Sequence, residues 1–345
     1  MDYIHANPDD IIGTIRALLT GDRSVDVPFV QQQKVNYQSH PEAEHIAAEL
    51  DGILSEIKAR AEYERIMHQQ RRRCDAMIRE ATAAVKVADL ERAENILVNL
   101  VNHDTATSDR NIAWYDFQDP IERLYVEALG LEKREIRDAV MPLVGGYQLL
   151  CAVLLQADRP HEALNAIDAA IALNKVAIMP RLERSYCLQR LGRIEELKRN
   201  LSDAFPLCYT QVHFGQWYRS LAPWYFHTQD FVGFGVCLLL SLACVEDESV
   251  RTMLAAAEQL AEIAYDDTFA ANVSAEARAR EIPLNPAPIW HDLAMRLARQ
   301  TLEDESYERA LRYLTIAYDL NRSDELLAQI ERLRAHMATL TKTQP

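Results

Sequence analysis

The side chains able to do chemistry are spread thinly along this chain. Ten histidines stand at positions 5, 40, 45, 68, 103, 161, 213, 227, 291 and 336, and none belongs to an HExxH pair. That spacing matters because two histidines four apart share one helix face and can hold zinc together. The nearest approach is HPEAEH at 40–45 with Glu49. His45 and Glu49 would lie on one helix face and offer two metal ligands, but helix-start carboxylates beside a surface histidine account for the same residues. His213 and His227 bracket an aromatic run, yet no Ser or Cys is spaced to serve them as a nucleophile. They are read as solvent-facing or groove-lining. The six cysteines, at 74, 151, 187, 208, 237 and 244, contain no C-x-x-C pair. Most fall in apolar helical stretches, where a free Cys acts as a small hydrophobe. They suit a reducing compartment.

Glycine signals are equally sparse. There is no G-x-G-x-x-G and no G-x-x-x-x-G-K-[ST]. VGG at 144–146 opens a helical stretch and could offer free backbone N–H groups to an anion, but a plain helix start explains it as well. No catalytic residue, metal ligand or cofactor is expected, so the reading is non-enzymatic, with a hydrolase-type site built from scattered His and acidic residues as the remote alternative.

Composition agrees with a binding role. The chain has 345 residues, 49% of them hydrophobic, and a net charge of −15. That length suits two or three domains or one extended array. The charge opposes nucleic-acid binding, which needs Lys and Arg to neutralise phosphates, and opposes docking on anionic lipid. It favours a basic or neutral partner. The run FVGFGVCLLLSLACV at 231–245 lacks charge, but it is too short to span a bilayer and is closed by Asp230 and Glu246. A buried helix is expected there. The acidic start MDYIHANPDD lacks the pattern of a signal peptide, and a cytoplasmic location follows as the expectation.

Helical periodicity dominates the chain, and alternating strand-like segments are nearly absent. A first helix is expected over 8–20, with Asp9 and Asp10 in its first turn and Gly21 as its stop. VDVPFVQQQKVNY at 25–37 reads as a loop or a short extended piece. From 41 to 87 the pattern stays helical, as one long helix or two with a bend near Gly52 or Ala61. Its RRR at 71–73 is the one dense basic run, a solvated face or a local docking patch.

A repeat organises the middle of the chain. On 158–175 Ala163, Ile167 and Ala170 recur at i, i+4 and i+7, after an upstream helix with Tyr147, Leu150, Cys151 and Leu154. A shift of 34 residues gives Ser185 and Leu188, the turn LGR at 191–193, then Leu197, Leu201 and Ala204. A third unit has Leu221, Ala222 and Tyr225, then Phe234, Leu238 and Ser241. A fourth has Leu297 and Ala298, then Ala310, Leu314 and Ala317. An earlier one has Ala81 and Ala84, then Ala93, Leu97 and Leu100. This pattern resembles the tetratricopeptide repeat (TPR) family of helix-turn-helix units. The units 144–177 and 178–211 match best. Departures are Lys175 where a proline often closes a unit, Phe234 in a small-residue place flanked by Gly233 and Gly235, and Pro223, which should kink its helix. The stretches YDFQDPIERLYVEALG (115–130), WYRSLAPWYFHTQDFVGFGVCLLLSL, REIPLNPAP (280–288) and ERALRYLTIAYDLNRSDEL (308–326) further resemble uncharacterised bacterial TPR proteins, a resemblance that implies an all-helical fold and brings no catalytic residues.

The expected fold is therefore all-α, a TPR-like right-handed α-solenoid of stacked antiparallel helix pairs. It divides into an N-terminal helical extension at 1–73, a repeat array at 74–245, and a C-terminal helical region at 246–345 with a terminal repeat-like unit. The alanines are spacers that let helices approach. In such an array the first helices line a concave face. The positions free of packing duties are Gln148, Ala152, Leu155, Met179, Leu182, Tyr186, Gln189, Gln216, Arg219 and Phe226, a surface suited to an extended or helical peptide. TPR modules that hold acidic chaperone tails use a Lys/Asn/Arg clamp. The matching places hold Gln148, Ala152, Glu183, Gln216 and Ser220, so the clamp is missing. FGQWYRSLAPWYF at 214–226 divides between core and an exposed aromatic anchor. The leading expectation is a scaffold with a protein or peptide ligand and no nucleic-acid or membrane partner. The competing one is a self-associating homo-oligomer whose groove is filled internally.

Overall fold

The computed structural model describes residues 7–20, 23–102, 111–139 and 141–342, with Tyr63, Thr341 and Lys342 as backbone only. The described residues form sixteen α-helices and two short strands. The chain divides into a unit at 1–75 and a unit at 76–345.

In the first unit, α1 (Pro8–Ala17) and α2 (Arg23–Asn36) share a core with the first half of α3 (Ala43–Lys86). Ile11, Ile12 and Ile15 form one face of α1 and meet Val30, Ile46, Leu50, Ile53 and Leu54, all buried. Asn7 caps α1 by accepting from Asp9 N at 3.0 Å. The helix is shorter than the 8–20 expected. The buried carboxylate of Asp26 accepts from both Thr20 N and Thr20 Oγ1, at 2.8 and 2.9 Å, and so draws residue 20 out of the helix. Gly21 lies outside the described residues. Residues 25–37 are not a loop or extended piece: nearly all of them lie in α2. The alternation of Val25 and Val27 mimics a strand, but the buried pair is Asp26 and Val30, four apart on one helix face. Pro28, the sixth residue of that helix, lies inside it and forgoes one intrahelical hydrogen bond. Residues 43–86 form one helix with no break at Gly52, whose missing Cβ faces open space.

The second unit is an all-α, TPR-like array of helix pairs. α4 (Leu90–Val101) pairs with the end of α3. α6 (Val144–Gln156) pairs with α7 (Pro160–Leu173), α8 (Ile178–Arg190) with α9 (Ile194–Ala204), α10 (Gln211–His227) with α11 (Phe231–Cys244), and α14 (Ile289–Glu303) with α15 (Tyr307–Leu320). α6 and α8 start 34 residues apart, as do α7 and α9 (178 − 144 and 194 − 160). α7 packs on α8 and α9 on α10, so successive pairs stack.

One backbone device recurs in all five pairs. Ala88, Asp158, Gly192, Gln229 and Glu305 each stand two residues before the second helix with φ between 54° and 67°. The next N–H reaches back to the carbonyl five residues earlier: Asp89 to Ala84, Arg159 to Leu154, Arg193 to Leu188, Asp230 to Tyr225 and Ser306 to Thr301, at 2.8–3.0 Å. This is a Schellman closure, which satisfies carbonyls that the helix end leaves without partners. Only Gly192 takes the left-handed conformation without steric cost.

Around each turn the packing positions repeat. The small residue seven before the turn is Ala81, Cys151, Ser185, Ala222 or Ala298, each at most 1% exposed. In the second helices Leu97, Ile167, Leu201, Leu238 and Leu314 are buried, followed by Leu100, Ala170, Ala204, Ser241 and Ala317. Close approach explains the small ones. Ser241 Oγ donates to Gly215 O at 2.8 Å across α10 and α11. The places where Gly233 and Gly235 lack a Cβ are taken by the rings of Tyr225 and Tyr265, at 2.3 and 2.1 Å from a built Cβ. Helix α10 continues through Pro223.

α12 (Glu248–Ala261) and α13 (Asp267–Ala279) both pack against α11 and lie outside the repeat. The charge-free run at 231–245 is α11, with seven buried residues. No helix among the described residues is long and apolar enough to cross a membrane. Two strands were not expected. β1 (Ile112–Tyr115) and β2 (Glu135–Asp138) pair in parallel, Ile112 opposite Glu135, with α5 (Pro120–Ala128) between them. At four residues each, they are too short for alternation to show.

The C-terminal pair docks on this βαβ element. Trp290 stacks on Tyr125 with centroids 4.1 Å apart, and its indole N–H donates to Pro206 O at 2.8 Å. Beneath lies an acidic junction of Asp116, Asp119 and Glu122, all buried. Asp116 Oδ2 accepts from Val144 N at 2.6 Å, so the N–H that opens α6 is satisfied by the chain's own carboxylate rather than by an external anion. Asp119 Oδ1 accepts from Ile121 N and Tyr313 OH, and its other oxygen pairs with Arg312. Glu122 Oε2 accepts from Asn174 Nδ2 at 2.7 Å and from Gln118 N at 2.9 Å. α16 (Asp324–Lys342) follows, packed on α15.

Candidate peptide groove

The first helices α6, α8 and α10 line one side of a groove of about 1080 Å³, and α12 closes the other with Ser249 and Met253. Buried residues, among them Cys151 and Ser185 seven before their turns, and Leu182, form its floor, and half-buried and exposed neighbours such as Met179 and Tyr186 reach into it.

Of the sequence-derived candidates, Ala152, Leu155, Met179, Leu182, Tyr186, Gln189, Gln216 and Arg219 come together in this groove. Leu182 is buried and forms floor, while Tyr186 is 48% exposed and stands as the one large aromatic in the lining. Phe226 lies next door, in an apolar slot of about 770 Å³ with Phe231, Phe234, Met253 and Leu260. The two spaces adjoin and share Gln189, Pro223 and Met253. Gln148 is set behind the lining. Its amide donates to Glu183 Oε1 at 2.9 Å.

The charges in the groove are mostly neutralised from within. Arg219 pairs with Asp247 at 2.6 Å, and Arg190 with Asp158 at 2.6 Å. Glu183 differs. Its Oε1 takes the Gln148 amide, whereas Oε2 is buried with no hydrogen-bond partner. Burial pushes its carboxyl up to about 7, against the opposing pull of the Gln148 hydrogen bond. Below it the Cys151 and Cys187 thiols touch, Sγ to Sγ 3.5 Å, and that contact together with burial pushes the Cys151 thiol up. All six cysteines are free, five of them buried. The side chains of Gln189, Gln216 and Ser220 reach the groove without a hydrogen-bond partner among the described residues.

Sequence reasoning missed Met253 and Ser249, because α12 carries no repeat signature. It also left Glu183 out of the candidate set, although the residue falls in a clamp position. The aromatic run 214–226 is mostly core. Trp217, Tyr218 and Tyr225 are buried, and each donates to a backbone carbonyl, of Leu201, Pro283 and Arg280. Trp224 holds the Lys198 ammonium 3.5 Å above its ring. Phe226 alone is exposed, at 45%.

The histidines need one correction. His213 is neither solvent-facing nor groove-lining. It packs edge-on against Tyr209, and burial, with Arg312 nearby, pushes its imidazole down to about 4. His227 lines the apolar slot. His45 and Glu49 are both exposed on α3, and no group of three or more metal-ligating side chains occurs among the described residues.

Comparisons with known proteins add little beyond this geometry. No family model matches the chain, and no curated protein is similar enough to match. Among solved structures, a chain of the crystal structure of the APC/C hetero-tetramer Cut9-Hcn1 is similar over 94% of this chain, at 10% identity and a TM-score of 0.41. This chain spans 59% of that chain's length. The functional reading therefore rests on this chain's own residues.

Proposed function

We propose that the chain is a non-enzymatic scaffold that takes a peptide segment of another protein in the groove between α6, α8, α10 and α12. The observation that carries this reading is the convergence of first-helix side chains from three consecutive repeats on one continuous groove. It has an exposed Tyr186 at its centre and the exposed Phe226 in the adjoining slot. Exposed aromatics within an otherwise packed surface are the usual anchors of protein recognition. Amide and hydroxyl groups of Gln189, Gln216 and Ser220 supply the partners that an extended backbone needs. The three-part division at 73 and 245 belongs to the same proposal: the array binds, and the flanking segments support it. Binding occurs in the cytoplasm, in keeping with the free cysteines.

The test is selection from a displayed library of random 12-residue peptides on the full chain and on Tyr186→Ala. Sequences enriched on the wild type and lost on the folded variant support the groove. Enrichment that is the same on both, or none on either, contradicts it.

A further inference from the structure

The groove carries a preference in charge as well as shape. Resting on the peptide-groove reading, we propose that Glu183 is its specificity-determining residue and selects segments that place a lysine or arginine beside an apolar side chain. Three observations converge on this.

The first is an incomplete hydrogen-bond set. Glu183 Oε2 is buried without a partner while Oε1 is satisfied by Gln148. An unmet buried acceptor is costly to the free protein, and a ligand donor that reaches it recovers that cost. A charged donor recovers most, since a hydrogen bond with one ionised partner is about twice as strong as a neutral one.

The second is the state of the other charges. Both cations of the lining, Arg190 and Arg219, are already held by carboxylates of the chain. An acidic segment would find no free cation in the lining, and would meet Glu183 and a chain of net charge −15. A cationic segment is drawn in by the same field.

The third is adjacency. The apolar slot around Phe226, Phe231 and Phe234 adjoins the groove and shares Gln189, Pro223 and Met253 with it. A segment that lays a cation at Glu183 can bury a large aliphatic or aromatic side chain there, so the fitting ligand is a short stretch with both. Gln216 and Ser220 stand free to accept or donate along the segment between them.

The experiment extends the 12-residue selection to Glu183→Gln. That substitution keeps an acceptor for Gln148 and is expected to fold, which thermal unfolding checks. Wild type should enrich peptides carrying Lys or Arg, and the variant should lose that bias while still binding peptides through Tyr186. An enriched wild-type peptide is then resynthesised with its cation replaced by norleucine or by Glu. On the wild type, affinity should fall at least about 10-fold with norleucine and further with Glu; on Glu183→Gln the norleucine change should be within about 2-fold. Tyr186-dependent peptides that are neutral or acidic, or an equal norleucine loss on both proteins, overturn this inference and leave the groove standing. If no Tyr186-dependent peptide is enriched, the groove reading fails and this inference fails with it. The wild-type peptide series alone decides the matter if the variant does not fold.

Discussion

Glu122 is buried and Glu183 half-buried, and desolvation pushes each carboxyl up to about 7. They sit in different company. Glu122 is held from inside: Asn174 and Gln118 both donate to its Oε2, and Tyr313 and Arg312 hold the adjoining Asp119. Glu183 has one partner on one oxygen and a groove in front of it. The first arrangement fastens βαβ element, α7 and C-terminal pair together. The second leaves one buried carboxylate oxygen without a donor, on a residue that lines the groove. Raised carboxyl pKa alone does not distinguish structure from function; the partner set does.

That contrast can be broken or sharpened experimentally. The largest effect should come from creating a buried carboxylate with no partner at all. Ala170 is fully buried, and Ala170→Glu should lower stability by about 4 kcal/mol or abolish folding. Unchanged thermal unfolding would remove Ala170 from the helix contact. Next is the site held from inside. Asn174→Ala strips Glu122 of one donor and frees Asp116 O, so denaturant unfolding should show a loss of about 3 kcal/mol. A loss below about 1 kcal/mol would mean that the junction is not held by this network.

The pH dependence comes third. Both glutamates bind a proton more tightly folded than unfolded, with folded values near 7 against 4.5. The folded state therefore carries more protons between those values, and their contribution to stability declines as pH rises from about 4.5 to 7. His213, lowered from 6.5 to about 4, works the other way, adding stability as pH rises from about 4 to 6.5, a window that overlaps the glutamates'. The difference in unfolding free energy between wild type and Glu183→Gln isolates Glu183. Glu183→Gln should gain on the wild type as pH rises to 7; a difference flat in pH would show that Glu183 is not desolvated. The smallest effect lies far from both carboxylates. Glu305→Gly removes a left-handed non-glycine at φ 54° and should raise stability by about 0.5 kcal/mol, leaving peptide binding unchanged. A destabilised variant would mean that this turn is not strained.

The repeat was legible because its signal is spaced packing. Ala163, Ile167 and Ala170, shifted by 34 residues onto Leu197, Leu201 and Ala204, mark two second helices of the array, α7 and α9. The turn that closes each pair was hidden, since Ala88, Asp158, Gln229 and Glu305 adopt a glycine conformation without being glycine. The groove residues followed from helix phase, and eight of them share one space. What phase cannot see is an element outside the register. Met253 reaches the groove from α12, and β1 and β2 are too short for periodicity. Burial by distant partners is equally invisible, which is why His213 and Glu183 were misplaced or passed over. Around 25–37 the Val25–Val27 alternation outweighed Asp26, whose buried link to Thr20 decides the local fold.

The most direct measurement is a calorimetric titration of one selected 12-residue peptide into the wild-type chain and into Tyr186→Ala. If the groove is the binding site, loss of an exposed central aromatic should weaken Kd about 30-fold, in the range of a hot-spot residue, with thermal unfolding unchanged. Affinities within about twofold of each other would place binding on another surface and contradict the account.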